Sequence, residues 1–289
     1  MNEMSLFRRV AILGTGKMGS AIATRISAAG FEVVLWNRTR AKAEALGLGT
    51  VVETPAEAAR KADIVISSLT GPEAVLAAYQ GPAGALSAGK GMSFVEMSTA
   101  GPDLVATLAA AVAAAGGTLV DAPIVGAPPL VRAGEAGILA GGADVDVALV
   151  SGVLAELGTV RHVGPLGSGA RLKLVANSML ADVVLAAAEL QVAGEGTGLD
   201  PADVFWVLAR IAPALEARRA GYLDDRHTPT MFALRDLRKD LGLALPLFGR
   251  SSARTPITRS ASELVNAAAA ATPDLDISAV VRPYRQLGR

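Results

Sequence analysis

Short apolar runs alternate with amphipathic stretches along the first half of the chain. The runs have the length and composition of buried strands and cover residues 9–13, 31–36, 51–52, 63–67, 92–96, 118–120, 137–140 and 159–161. The intervening stretches show helical spacing at residues 17–29, 40–46, 73–79, 102–115 and 145–157, and Thr54-Pro55 begins a further helix. This alternation predicts βαβ units, and hence a parallel sheet with helices on its faces.

The pattern changes near residue 164. One long helical pattern runs from Ser168 to about Gly194, Asp200-Pro201 starts another helix, and strand patterns do not return. We therefore predict an α/β protein with a doubly wound sheet in residues 1–165 and an all-helical domain in residues 166–289. The long helix would join the two domains.

Charge and hydropathy exclude several classes of partner. The chain has 27 basic and 27 acidic residues, so its formal net charge is zero, and neither nucleic acid nor an anionic membrane is expected as a partner. No stretch approaches the ~20 unbroken apolar residues of a membrane span. The amino terminus lacks the apolar segment of a secretory signal, which predicts a cytoplasmic location.

Cysteine is absent, and the only histidines are His162 and His227. Disulfides, thiolate metal sites and a cysteine nucleophile are therefore excluded, and no metal site is predicted. We interpret His162 as a packed residue at a strand end and His227 as part of a solvated loop.

The sequence Gly14-Thr15-Gly16-Lys17-Met18-Gly19 is a GxGxxG motif between a predicted strand and a predicted helix. In such a turn the first glycine allows a tight bend, the second admits a pyrophosphate and the third lets helix and strand pack closely. The position predicts a Rossmann-type dinucleotide-binding domain.

The end of the second predicted strand indicates which dinucleotide is bound. An NAD-specific site presents a carboxylate there to the ribose hydroxyls, whereas this chain has Asn37, Arg38 and Thr39. Arginine can stack on adenine and pair with a 2′-phosphate, and the two neighbours can donate hydrogen bonds to it. NADP is therefore the predicted cofactor, with NADPH preferred over NADH.

Lys173 and Asn177 lie four residues apart, so they share one face of the long predicted helix. That face is otherwise apolar, and partial burial would lower the pKa of a lysine toward the range useful for a general acid. Lys239 and Asp240 form another charged pair, which on spacing alone reads as an ordinary solvated pair on a helix.

Together these segments resemble the β-hydroxyacid dehydrogenase (3-hydroxyisobutyrate dehydrogenase) family over nearly the whole chain. The matching segments are Gly14–Gly19, residues 37–42, Glu96-Met97-Ser98-Thr99 with Pro102, residues 121–126 (DAPIVG), Gly167-Ser-Gly-(x)3-Lys173-(x)3-Asn177, and Lys239-Asp240-Leu241. They follow the family's order. The family's fold implies dimers formed through the helical domains.

The resemblance assigns roles to the matching residues. Lys173 and Asn177 would be catalytic, and Ile124, Val125, Gly126 and Ala127 would bind the substrate. The cofactor would be bound by Gly14, Thr15, Gly16, Lys17, Met18, Gly19, Asn37, Arg38, Thr39, Thr99 and Lys239. The implied activity is NADPH-dependent hydride transfer between nicotinamide and a small aldehyde or hydroxyacid-like substrate, with Lys173 as general acid and base.

One departure bears on the substrate. The family usually has serine, a donor to the substrate carboxylate, where this chain has Val125, and a second glycine where it has Ala127. Valine cannot donate a hydrogen bond, which favours a bulkier or less polar substrate. Two alternatives therefore stay open: an imine reductase, which resembles this family in fold and cofactor motifs, and a non-catalytic NADP-binding protein.

Overall fold

The computed structural model describes residues 7–89, 91–251 and 254–287. The described residues up to Lys173 form one compact unit, and those from Leu174 onward form a second. The cut between these units falls inside the long helix. The domain boundary at residues 165 and 166 stays a prediction of the sequence.

The first unit is built on one sheet. Within the described residues its strands are β1 (Arg9–Leu13), β2 (Glu32–Trp36), β3 (Thr50–Val51), β4 (Ile64–Ser67), β5 (Ser93–Glu96), β6 (Thr118–Asp121), β7 (Ile124–Val125), β8 (Ala136–Gly141) and β9 (Gly158–Gly164). Their order is β3-β2-β1-β4-β5-β6-β8-β7, with β9 paired to β8. The pairs β6–β8 and β7–β8 are antiparallel and the other pairs are parallel, so the predicted doubly wound sheet is confirmed.

Helices cover both faces of this sheet. They are α1 (Lys17–Ala28), α2 (Arg40–Glu44), α3 (Pro55–Arg60), α4 (Pro72–Tyr79), α5 (Pro102–Ala114), α6 (Pro128–Ala133) and α7 (Asp144–Ala155). Alternate residues of β1 enter two different cores: Val10 and Ile12 pack with α1 and α7, whereas Ala11 and Leu13 pack with α3, α4 and α5. Strand residues point alternately to the two faces, so a strand buried on both reads as one apolar run.

Two of these strands and α-helices were not predicted, β7 and α6. Strand β7 has two residues, and α6 begins at Pro128-Pro129 directly after Ala127. Neither is long enough to show a repeat of apolar positions. They matter because β7 contains Ile124 and Val125 of the predicted substrate segment, and α6 begins directly after that segment ends.

The second unit is all helical, as predicted. The helices are α8 (Ser168–Gly196), which starts in the first unit, α9 (Pro201–Ile211), α10 (Arg219–Asp224), α11 (Leu234–Gly249), α12 (Pro256–Ala271) and α13 (Val281–Leu287). Their common core contains the buried rings of Phe205 and Tyr222, whose centroids lie 5.6 Å apart. The Tyr222 hydroxyl donates a 2.6 Å hydrogen bond to the carbonyl of Val184 in α8.

The prediction that His227 lies in a solvated loop is wrong. The side chain is buried, with Nδ1 2.9 Å from the Ser278 hydroxyl and Nε2 2.8 Å from Asp225 Oδ1. Asp225 in turn pairs with Arg282 of α13. His162 lies in β9, as predicted, but the prediction that it is packed is wrong: the residue is exposed, with Nε2 3.0 Å from the carbonyl oxygen of Gly142.

Helix α8 is also the one helix of the described chain that is long and apolar enough to cross a membrane. Its most apolar window has a mean hydropathy of 1.4, and 44% of that window is buried inside the protein. The core helix of a folded domain has the same length and composition. The helix also carries Lys173, Asn177 and Asp182.

Candidate functional site

The predicted cofactor residues of the first unit follow the carboxyl ends of neighbouring parallel strands. The strand ends are in register: Leu13 pairs with both Trp36 and Ser67, Ser67 pairs with Glu96, and Glu96 pairs with Asp121. The chain passes from β1 to β2 on one side of β1 and returns after β3 to β4 on its other side, which makes a topological switch point there. Ligands of doubly wound sheets bind at such a point, outside the carboxyl edge.

The glycines of the turn after β1 have different tasks. Gly14 has φ +99°, and a Cβ there would collide with the carbonyl oxygen of Ser68. A Cβ on Gly19 would collide with the carbonyl oxygen of Gly14, so this glycine lets α1 approach the turn. Gly16, the residue before α1, has nothing within 4 Å of the position a Cβ would take. It leaves room beside the helix amino terminus, where a pyrophosphate binds.

Thr15 and Asn37 join this turn to the end of β2. The Thr15 amide donates a 3.0 Å hydrogen bond to Asn37 Oδ1, and Asn37 Nδ2 donates to the carbonyl oxygen of Thr39 at 2.9 Å. The Asn37 side-chain amide is therefore hydrogen-bonded within the protein, whereas the sequence had suggested only a contact with the cofactor. The Thr15 hydroxyl is buried and has no hydrogen-bond partner among the described residues. A buried hydroxyl without a partner, next to a glycine with open space beside it, is suited to hydrogen-bond with a phosphate oxygen.

Arg38 and Thr39 are exposed beyond β2, and Lys17 is exposed in the first turn of α1. Arg40, two residues from Arg38, is engaged by Glu44 at 2.7 Å and by Glu53 at 2.5 Å. The Arg38 guanidinium makes no ion pair with any described residue. It is therefore available to an anionic group at this edge.

The carboxyl group of Glu96, the last residue of β5, is buried next to the turn that leads to Thr99. Glu96 accepts hydrogen bonds from the Ser67 hydroxyl at 2.5 Å and the Ser98 amide at 2.7 Å, and Tyr79 lies 2.8 Å from Ser67 Oγ. Burial raises the pKa of Glu96 to about 7, although these hydrogen bonds oppose the rise. The network holds the turn after β5 in place.

Asp121, at the end of β6, is buried and faces the start of α8. Its Oδ1 accepts a hydrogen bond from the Gly167 amide and its Oδ2 one from the Ala170 amide, each at 2.6 Å. Burial raises the pKa of this carboxyl to about 6, while both amides and the charge of Arg171 oppose the rise. This contact joins the motif that begins at Asp121 to the glycine-rich motif that begins at Gly167.

The predicted substrate segment has one outward side chain. Ile124 is buried, whereas Val125 is 41% exposed. Gly126 has φ +145°, and Ala127 immediately precedes α6. The residue that replaces the family's serine therefore presents an apolar surface to solvent.

Lys173 is half-buried, and Asn177 is buried one turn further along α8. Asn177 Nδ2 donates a 2.5 Å hydrogen bond to Asp240 Oδ2, and Lys239 Nζ lies 2.6 Å from Asp240 Oδ1. Asp240 is only 2% exposed, so the interpretation of Lys239 and Asp240 as a solvated pair is wrong. The second unit instead fixes Asn177 through a buried carboxylate.

Glu96, Asp121 and Asp240 were not predicted individually as site residues. The first two end apolar strand runs, and an acid at that point of a parallel sheet faces the ligand edge, which is a usable signal. Asp240 has no such signal in the sequence, because its partner Asn177 is 63 positions away. Among the described residues, no three His, Asp or Glu side chains form a group that could hold a metal.

Two family descriptions match the chain. Residues 9–164 match the NAD-binding domain of 6-phosphogluconate dehydrogenase, and residues 167–284 match the NAD-binding domain of NADP-dependent 3-hydroxyisobutyrate dehydrogenase. The matches cover both units and most of the described residues.

Among curated relatives, the cytokine-like nuclear factor N-PAC of Xenopus tropicalis is 31% identical over 96% of this chain. The match covers 53% of N-PAC, so the chain spans about half the length of that relative. Glyoxylate/succinic semialdehyde reductase 1 of Arabidopsis thaliana is 29% identical, with 96% of this chain and 98% of that protein covered.

Solved structures give the same result. 3-Hydroxyisobutyrate dehydrogenase of Mycobacterium tuberculosis, solved with L-serine, is 25% identical with a TM-score of 0.84, over 97% of this chain and 100% of that one. An imine reductase from Pseudomonas sp. has a TM-score of 0.63 at 20% identity, over 95% and 98% of the two chains, which shows a shared fold alone. The chain belongs to the NAD(P)-binding β-hydroxyacid dehydrogenase family.

Proposed function

We propose that the protein is an NADPH-dependent reductase of small carbonyl compounds that also oxidises the corresponding hydroxyacid-like alcohols. The observation that carries the proposal is Lys173. It follows the glycine-rich start of α8, in the same unit as the GxGxxG turn. The family membership supports hydride transfer as the reaction.

The cofactor preference rests on the tip of β2. Asn37 is engaged by Thr15 and Thr39, so Arg38 is the group that favours a 2′-phosphate, with Thr39 beside it. An arginine offers a charge-assisted, bidentate contact to phosphate, and no carboxylate stands at this tip to receive ribose hydroxyls. These features support NADP over NAD.

Lys173 would supply and remove the proton. When bound, the nicotinamide supplies or accepts a hydride at the substrate carbon. Lys173 donates a proton to the substrate oxygen as the carbonyl is reduced, and removes it from the hydroxyl in the reverse reaction. Asn177, fixed by Asp240, would orient that oxygen.

Val125 gives a reason to expect an altered substrate range. Its exposed side chain offers apolar contact where a serine would offer a donor. We therefore infer that backbone amides of residues 124–127 hold any carboxylate and that less polar carbonyl compounds are also accepted. The same feature favours imine reduction as a second candidate.

N-PAC is named as a nuclear factor and not as an enzyme, so the resemblance to it favours a third candidate: binding of NADP without turnover. Against it, this chain has Lys173, Asn177 and Lys239 together. A homodimer formed through the helical units also belongs to the proposal. Exposed apolar side chains on α9, among them Trp206 and Ile211, support it.

The test is NADPH consumption with a mixed panel of substrates. The panel contains glyoxylate, succinic, methylmalonate and tartronate semialdehydes, bulkier neutral aldehydes and cyclic imines. Lys173→Ala should retain only a small residual turnover and leave NADPH affinity nearly intact, while Lys61→Ala, an exposed lysine in the same unit, should be fully active. A fully active Lys173→Ala enzyme would contradict the assignment of Lys173 as general acid and base. Turnover on imines alone would support the second candidate.

A further inference from the structure

Asp121 makes an unusual contact with the helix that carries Lys173. Its two carboxylate oxygens accept the amides of Gly167, immediately before α8, and Ala170, the third residue of α8. The first amides of a helix have no partner within the helix and favour a negative charge. Here the cap comes from a strand 46 to 49 positions away in sequence, instead of the residue beside the helix.

Three glycines make this contact possible. A Cβ on Gly141 would collide with Asp121 Oδ1, and a Cβ on Gly169 would lie 2.9 Å from Oδ2 and collide with the Leu139 carbonyl. Gly167 has φ +86°, a conformation that glycine adopts at little cost. The Gly-x-Gly that precedes Lys173 by a few residues is therefore a docking surface for the carboxylate.

The carboxylate is not available to a substrate. Asp121 is 1% exposed, and its two oxygens are already bonded to the residue before α8 and to the first turn of α8. Asp121 begins the segment that contains Val125, but its side chain hydrogen-bonds to the start of α8. Ala170 and Lys173 are three residues apart and so lie on neighbouring positions of one helix face.

We infer that Asp121 is a positioning residue, which fixes the first turn of α8 and thereby the Lys173 ammonium relative to the substrate segment. This inference rests on the proposed role of Lys173. Fixing the amides at both ends of one helical turn fixes the direction in which the helix leaves the sheet. A misplacement of about 1 Å at a reacting group lowers turnover about 100-fold.

Asp121→Asn is the informative variant, because it keeps the size of the side chain and one acceptor but turns an NH₂ group toward an amide. It should lower kcat about 10- to 100-fold and leave KM for NADPH unchanged. Asp63→Asn is the matched control: Asp63 also accepts two backbone amides, those of Arg8 and Arg9, at the opposite edge of the sheet. Asp63→Asn should lower the free energy of unfolding and leave kcat unchanged.

A double variant separates positioning from general loss of structure. If Asp121 acts through Lys173, adding Asp121→Asn to Lys173→Ala should lower the residual turnover no further. An equal loss in both backgrounds, or a wild-type kcat in Asp121→Asn, overturns the inference. If Lys173→Ala is itself fully active, the proposed function fails instead, and the two failures are distinguishable.

Hydrogen exchange covers the case in which Asp121→Asn does not fold. In the wild-type protein the amides of Gly167 and Ala170 should exchange slowly, which is unusual for the start of a helix. Fast exchange at both positions would mean that the contact is absent and would overturn the inference.

Discussion

Gly19 packs directly against Gly14: a Cβ on Gly19 would occupy the space of the Gly14 carbonyl oxygen, whereas Gly16 faces open space. Gly19→Ala should therefore disturb the turn itself, lowering both the free energy of unfolding and NADPH binding. Gly16→Ala should fold with wild-type stability and lose NADPH affinity, since only the bound pyrophosphate needs that space. Thermal unfolding and NADPH titration check both; an unstable Gly16→Ala protein would contradict the separation of roles.

Arg38 should discriminate between the two nicotinamide cofactors. Arg38→Ala should raise KM for NADPH about 10- to 100-fold, because a charge-assisted contact to phosphate is lost, and leave KM for NADH unchanged. Steady-state kinetics with both cofactors measure this. Arg60→Ala, an exposed arginine in the same unit, is the control and should change neither value. An equal loss with both cofactors would mean that Arg38 does not read the 2′-phosphate.

Glu96 should make stability fall as the pH rises. Its pKa is about 7 in the folded protein against an ordinary value of 4.5, so between these values the folded state holds a proton that the unfolded state has lost. The stabilising effect is full below pH 4.5 and is lost as the pH rises through 7. Glu96→Gln cannot ionise, so its stability relative to wild type should increase by about 3 kcal/mol across this window.

Urea unfolding of both proteins at several pH values measures the Glu96 effect. Glu73→Gln, at an exposed position of α4, should reproduce the wild-type curve. Parallel curves for wild type and Glu96→Gln would show that the carboxyl does not titrate between pH 4.5 and 7.

Val125→Ser should restore a donor to the substrate segment. Because Val125 is exposed and its neighbour Ile124 supplies the buried contact, the change should leave stability nearly unaltered. We expect kcat/KM for acid semialdehydes to rise about 10-fold and that for neutral aldehydes to fall. Val125→Ala, which removes the apolar bulk without adding a donor, distinguishes a hydrogen bond from a gain of space. If both variants raise kcat/KM equally, the donor is not the cause.

Asn177→Asp should place two carboxylates at hydrogen-bond distance in a buried site. The amide now donates to Asp240 at 2.5 Å, so the change replaces a bond by repulsion, and one carboxyl must take up a proton. The loss of unfolding free energy should be about 3 kcal/mol at pH 8 and smaller at pH 5. Asn177→Ala should lose less unfolding free energy than Asn177→Asp at pH 8. An equal loss for Asn177→Asp at pH 8 and pH 5 would show that charge repulsion with Asp240 is not the cause.

Much of the fold could be predicted because it depends on short-range patterns. Apolar runs and glycine-rich turns located the longer strands and helices, including β1 and the long helix α8, to within a few residues. Element β7 was missed because a two-residue strand has no periodicity. The roles of Asp121, His227 and Asp240 were missed because their partners lie 46 to 63 positions away. Sequence spacing carries no information about such contacts.

The separation of Asp121 from Val125 has a practical consequence for engineering. Only four positions apart, one side chain is committed to α8 and the other points outward. If the proposed function is correct, saturation mutagenesis at Val125 and Ala127 should change substrate selectivity while the attachment of the helix that carries Lys173 stays intact. A library that also randomised Asp121 would lose most of its members to inactive proteins before any selection for a new substrate began.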